Sequence, residues 1–129
     1  MAGEQILVVE DNRKSMKLFR DVLQANGYRT LEATTGARAV ELASECGPDL
    51  VLMDIRLPDF DGVDALGRLR ADERTSSIPV LALTAQAMEG DRDRFLSAGF
   101  DGYLSKPVNI VELLGVVRQH CDGRRRSSL

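Results

Sequence analysis

Short apolar runs alternate with amphipathic stretches along this chain in a regular order. Gln5–Glu10 (QILVVE) is a continuous apolar run of strand length. Arg13–Asn26 then places Met16, Phe19, Val22 and Leu23 at helical spacing, with Asn12 positioned to cap the helix and Gly27 to end it. Tyr28–Ala33 alternates in the manner of a half-exposed edge strand. Ala37–Cys46 reads as a second helix, closed by Gly47-Pro48. Asp49–Asp54 (DLVLMD) is the most continuously apolar of the strands; strands covered on both faces lose their alternation, so this one is placed at the centre of a sheet. Gly62–Asp72 is a third helix, with Val63, Leu66 and Leu69 predicted to face inward. Pro79–Thr84 (PVLALT) is a fourth strand, followed by a helix through Phe95 and Leu96 that stops at Gly99. Asp101–Ser105 is a fifth strand. Asn109–His120 is the last helix, with Asn109 and Glu112 at capping-box spacing and Ile110, Leu113, Leu114 and Val117 on its apolar face.

Five strands and five helices in strict alternation imply an α/β domain, a parallel sheet covered by helices on both faces. A chain of 129 residues suits one such domain with a core that needs no staples. The domain is expected over residues 1–121. Residues 122–129 read as a disordered basic tail, whose three arginines are more simply a solvated end than a docking site. The net charge of −3 argues against a general nucleic-acid binder. Cys46 and Cys121 lie far apart and form no CxxC pair, so both are expected as reduced thiols. His120, the only histidine, has no ligand cluster around it. The start Met1-Ala-Gly-Glu-Gln has no signal-peptide pattern, and no apolar run approaches the ~20 residues of a membrane span. The expectation is a cytoplasmic protein that neither inserts into membranes nor binds nucleic acid directly.

In a doubly wound sheet, ligands bind beyond the carboxyl ends of the strands. There the chain places Glu10-Asp11, Asp54, Thr84 and Ser105-Lys106-Pro107. Each alone is unremarkable, since an aspartate ending a strand is usually a turn or cap residue. Together they form a chemistry. Three carboxylates repel one another unless a cation joins them, and hard oxygen ligands suit Mg²⁺. Asp11 and Asp54 are the expected direct ligands, with the Arg56 backbone carbonyl, and Glu10 acts through a bound water. A carboxylate can also accept a phosphoryl group, which needs mainly positioning and charge cancellation. Asp54 would be that acceptor. Lys106 offers a compact positive charge, and Thr84 a hydroxyl, to the phosphoryl oxygens.

Four motifs carry a resemblance: VVEDN at Val8–Asn12, LMDIRLPDFDG at Leu52–Gly62, LTA at Leu83–Ala85 and YLSKP at Tyr103–Pro107. In order and spacing they resemble the response-regulator receiver family over roughly residues 5–121. VEDNRKSMKLFRDVLQANGY and TAQAM look closer to DivK-like single-domain regulators, and to receivers of hybrid kinases, than to receivers joined to DNA-binding domains. The resemblance implies a flavodoxin-like (βα)5 fold with strand order 2-1-3-4-5. It implies phosphotransfer to Asp54 from a phosphohistidine of a histidine kinase or histidine phosphotransfer protein, with Mg²⁺ as cofactor and Mn²⁺ able to substitute. It makes Thr84 and Tyr103 switch residues and the Lys106–Pro107 bond cis. It makes the fourth helix, fifth strand and last helix an output surface for a downstream protein, and the first helix the donor's docking surface. No chemistry beyond self-phosphorylation and self-dephosphorylation is expected, so the protein is read as a signalling switch.

Arg56 and Gln86 lie two residues after Asp54 and Thr84, where the resemblance places rate-modulating side chains. Arg56 is expected to hinder attacking water and lengthen the life of the phosphorylated state. Phe60 reads first as local packing and second as an exposed anchor for a partner. Other readings fit less well. A phosphatase with a nucleophilic aspartate would want a second aspartate where Arg56 stands. A flavin binder would want a hydroxyl-rich loop where Glu10-Asp11-Asn12 is acidic. The intact site argues against a receiver-like module that is never phosphorylated; a receiver excised from a larger regulator or hybrid kinase is the main alternative, and the Met1 start favours a stand-alone chain.

Overall fold

Each apolar run becomes a strand, and the parity of its residues decides which helices it meets. The computed structural model describes residues 3–59, 61–85 and 91–127. Its elements are β1 (Gln5–Val9), α1 (Arg13–Ala25), β2 (Arg29–Ala33), α2 (Gly36–Cys46), β3 (Leu50–Asp54), α3 (Gly62–Ala71), β4 (Val80–Thr84), α4 (Asp91–Ala98), β5 (Gly102–Ser105) and α5 (Ile110–Ser127). All strand pairs are parallel, in the order β2-β1-β3-β4-β5. β3 lies at the centre with every residue buried, and β2 is the half-exposed edge.

Successive side chains on a strand point to opposite faces, so each strand feeds two cores. Ile6, Val8, Leu50, Leu52, Leu81 and Leu83 meet Met16, Phe19 and Leu23 of α1 and Leu113 and Val117 of α5. Leu7, Val9, Val51, Met53, Val80 and Ala82 meet the small faces of α2 and α3 and Phe95 of α4. Full burial of each large aliphatic side chain contributes about 1.5–3 kcal/mol. Asn12 caps α1 as expected, its side chain accepting from the Lys14 and Ser15 amides. Gly47 ends α2 in the left-handed region at φ 57°, which a glycine adopts without steric cost. Cys46 and Cys121 are free, exposed and buried respectively. Among the described residues, no helix is long and apolar enough to cross a membrane.

Three expectations need correction. Val63 was expected inward but is 40% exposed; α3 buries Gly62, Ala65, Leu66 and Leu69 instead. Those four lie on one stripe at helical spacing, and Val63 sits well to its side. Small residues form half of this stripe, and hydrophobicity alone does not mark them. Ile110 was placed on the apolar face of the last helix but, as the first residue of α5, is 44% exposed, while Leu113 and Val117 carry the contact. The segment expected as a disordered tail is helical backbone as far as Ser127.

Candidate functional site

Parallel register brings the strand ends together. Val9 is level with Met53, Asp54 with Leu83 and Thr84 with Ser105. The next polar residues along β1, β3, β4 and β5 therefore meet at one edge of the sheet. The ladder continues past β1, since the Glu10 amide donates to the Ala33 carbonyl. It also continues past β5, where the Lys106 amide donates to the Thr84 carbonyl at 2.7 Å. The Lys106–Pro107 bond is cis, as expected.

Asp54 and Glu10 are buried, 6% and 1% exposed, whereas Asp11 is exposed. The Lys106 ammonium holds the buried pair together, donating to Glu10 Oε2 at 2.6 Å and to Asp54 Oδ2 at 2.8 Å. The Arg56 amide donates to Asp54 Oδ1 at 3.0 Å, and the Asn12 amide to Glu10 Oε1 at 3.2 Å. Carboxylate oxygens of Glu10, Asp11 and Asp54 all lie within 4.8 Å of one another. They open onto a cleft of about 470 Å³, whose lining also includes Arg56, Thr84, Arg94 and Lys106. Thr84, at the end of β4, is buried.

Burial pushes the Glu10 carboxyl above its ordinary range, the Lys106 hydrogen bond pulls it down, and the Asp54 charge pushes it up again; the net direction is up. Burial pulls the Lys106 ammonium down, but its hydrogen bonds to Asp54 and Glu10 outweigh this and hold it above its ordinary value. Where the three carboxylate oxygens lie within 4.8 Å of one another, Lys106 is the ammonium bound to two of them, which leaves a local surplus of negative charge there, although Arg56 and Arg94 also line the cleft. An all-oxygen donor set with that surplus fits a hard divalent cation such as Mg²⁺.

The sequence-predicted residues thus fall into two groups. Glu10, Asp11, Asp54, Arg56, Thr84 and Lys106 all border one cleft. Tyr103 belongs to a neighbouring layer, half-buried, with its ring 5.8 Å from that of Phe95. Phe60 and Gln86 lie outside the described residues.

Sequence reasoning missed the residues that shape the loop after Asp54. A Cβ built on Gly62 would lie 2.6 Å from the Asp54 carbonyl oxygen, so a glycine is what lets α3 start this close to Asp54. Asp61 caps α3 through the Asp64 amide, a role that the Asp-Gly pair before a helix could have signalled. Asp59 accepts from the Gly36 and Ala37 amides of α2. No local signal marks that contact, nor the place of Arg94 in the cleft lining.

The response regulator receiver domain profile matches residues 6–118. The polar-differentiation response regulator DivK of Brucella ovis is 41% identical over 117 residues, covering 91% of this chain and 95% of that protein. Among solved structures, the receiver domain of the sensor histidine kinase PA1611 from Pseudomonas aeruginosa PAO1 superposes with a TM-score of 0.86 at 39% identity. The match covers 94% of this chain and 99% of that one, which holds a magnesium ion coordinated in its active-site cleft. A CheY-like receiver domain from Methanospirillum hungatei JF-1 gives a TM-score of 0.88 at 25% identity, covering 98% and 99% of the two chains.

Proposed function

This chain belongs to the response regulator receiver domain family, and from that premise we propose that it is a phosphorylation switch whose acceptor is Asp54. The observation that carries the reading is the Lys106 ammonium bound to Asp54 and Glu10 at the mouth of a carboxylate-lined cleft. Mg²⁺ held by Asp11, Asp54 and the Arg56 carbonyl, with Glu10 reached through water, would supply the positive charge that draws phosphoryl oxygens to the site. Asp54 then acts as nucleophile. Its carboxylate oxygen bonds to phosphorus while the phosphorus–nitrogen bond of a donor phosphohistidine breaks and the electron pair returns to the imidazole. Lys106 keeps its charge at the site throughout and exchanges part of its contact with Asp54 for a phosphoryl oxygen. The Thr84 hydroxyl donates to another oxygen. Its movement is passed to Tyr103, and the α4-β5-α5 face changes what it offers a downstream protein.

The similarity to DivK favours a regulator that acts by binding such a protein, with a histidine kinase or phosphotransfer protein as donor. The similarity to a sensor-kinase receiver favours a second reading, a receiver within a larger relay. Asp54 has the same role in both. Incubation with Mg²⁺ and acetyl phosphate, followed by intact-mass measurement, is expected to add one phosphoryl group, and EDTA to prevent it. No addition from either acetyl phosphate or a phosphorylated histidine donor would overturn the reading.

Two further results are expected. Mg²⁺ at about 100 times its Kd stabilises the fold by about 2.7 kcal/mol through binding the native state alone. Asp11→Asn should remove most of that thermal shift while leaving the metal-free fold intact; an undiminished shift would take Asp11 out of the site. Arg56→Ala should shorten the life of the phosphorylated protein several-fold, because the exposed guanidinium beside the cleft no longer obstructs water. Decay that is unchanged or slower, followed by mass in time, would reject that role.

A further inference from the structure

We propose that Asp59 is a positioning residue that latches the loop after Asp54 to the N-terminus of α2. This rests on the reading of Asp54 as phosphoacceptor. The loop between β3 and α3 carries the groups that Asp54 needs: the Arg56 amide on its Oδ1 and the Arg56 carbonyl assigned to the metal. Among the described residues, the loop is anchored near its start by Ile55, which packs partly against the core and whose amide donates to the Leu83 carbonyl at 3.0 Å. Leu57 packs partly against the core, and the Gly62 amide closes it on the Ile55 carbonyl at 2.8 Å. Its outer reach is held by Asp59, whose two carboxylate oxygens accept from the Gly36 amide at 2.8 Å and the Ala37 amide at 2.9 Å, across 23 and 22 residues of sequence.

The first amides of a helix have no partner within the helix and carry its positive dipole end. α2 satisfies the third, that of Arg38, from its own Thr35. It leaves the first two to a carboxylate from another segment. A helix gains nothing from borrowing its cap from so far away if a local side chain suffices, but a loop gains a fixed point. The charge-assisted, two-pronged contact fixes both the distance and the rotation of Asp59 relative to α2, and α2 is itself seated in the core through Ala39, Leu42 and Ala43. The latch therefore transmits the rigidity of the α2 layer to the Arg56 peptide.

The same helix end supplies the control. Thr35→Ala removes a cap from α2 without touching the loop, whereas Asp59→Ala removes a cap and frees the loop. Both variants should lose thermal stability, Asp59→Ala the more, since it gives up two charge-assisted bonds and Thr35→Ala one neutral bond. Only Asp59→Ala should speed hydrogen exchange at the Arg56 amide, measured by NMR without metal. Only Asp59→Ala should slow phosphoryl uptake from acetyl phosphate, by about tenfold, since misplacement by remote changes can reach ~10²-fold. Asp59→Asn, which keeps one acceptor oxygen, should fall between. Equal Arg56 exchange and equal uptake in Asp59→Ala and Thr35→Ala would reduce Asp59 to a helix cap and overturn the proposal. If the wild type takes up no phosphoryl group from acetyl phosphate or from a phosphorylated histidine donor, the functional reading fails, and Arg56 exchange still decides the latch on its own.

Discussion

Asp54→Asn is expected to abolish phosphoryl uptake while leaving the chain folded. The substitution is nearly isosteric and keeps an oxygen for the Arg56 amide or the Lys106 ammonium, so the contacts at 3.0 and 2.8 Å need not both be lost. It removes the nucleophile, because a neutral amide oxygen does not form a stable phosphoryl adduct. It also removes one of three crowded negative charges. Burying like charges together is costly, and Lys106 cancels only part of that cost. Metal-free stability should therefore be held or raised, and Mg²⁺ affinity lowered. Intact mass after acetyl phosphate treatment, with thermal unfolding beside it, separates these effects. A phosphoryl group still gained by the variant would move the acceptor to another residue and break the assignment of Lys106 as its partner.

Gly62→Ala should destabilise the fold by about 1–3 kcal/mol, the usual cost of forcing extra volume into a packed site. Helix propensity alone gives the opposite sign, since alanine is favoured over glycine by about 1 kcal/mol inside a helix. Sterics win here because the new methyl meets main chain: the Asp54 oxygen at 2.6 Å and the Ile55 Cα at 3.0 Å. Neither can rotate away, so α3 or the end of β3 must shift, and Asp54 shifts with it. Phosphoryl uptake should fall in the same variant. Gly67 lies in the same helix with nothing within 4 Å of a built Cβ, so Gly67→Ala should stabilise by up to about 1 kcal/mol. Urea unfolding of both variants tests the contrast. Equal effects at the two positions would mean that the close approach of α3 to Asp54 carries no cost.

Much of this protein was legible residue by residue. The ten elements, the central place of β3 and the edge character of β2 all follow from apolar periodicity, because burial on one or two faces leaves a local pattern. The clustering of Glu10, Asp11, Asp54, Thr84 and Lys106 was legible for a related reason: in a parallel sheet all strands end on the same side, so residues far apart in sequence are bound to converge. The order of strands came only through the family resemblance, since alternation of strands and helices does not distinguish one doubly wound order from another.

What the tertiary structure decided is set by distances between segments. Val63 gave way to Gly62 and Ala65 because the inward face of α3 is chosen by how close the helix must lie to Asp54, and not by which residue is most apolar. Lys106 binds both Glu10 and Asp54, because the first and fifth strands end within one side chain's reach of β3. Asp59 reached α2 across a gap that no sequence window spans. The amino-acid sequence by itself determined the elements, the two-faced core and the acidic cluster at the strand ends, since these depend on residue type and local period. The pairing of charges and the anchoring of the loop after Asp54 depend on packed geometry, in which a few tenths of an ångström decide whether a contact forms.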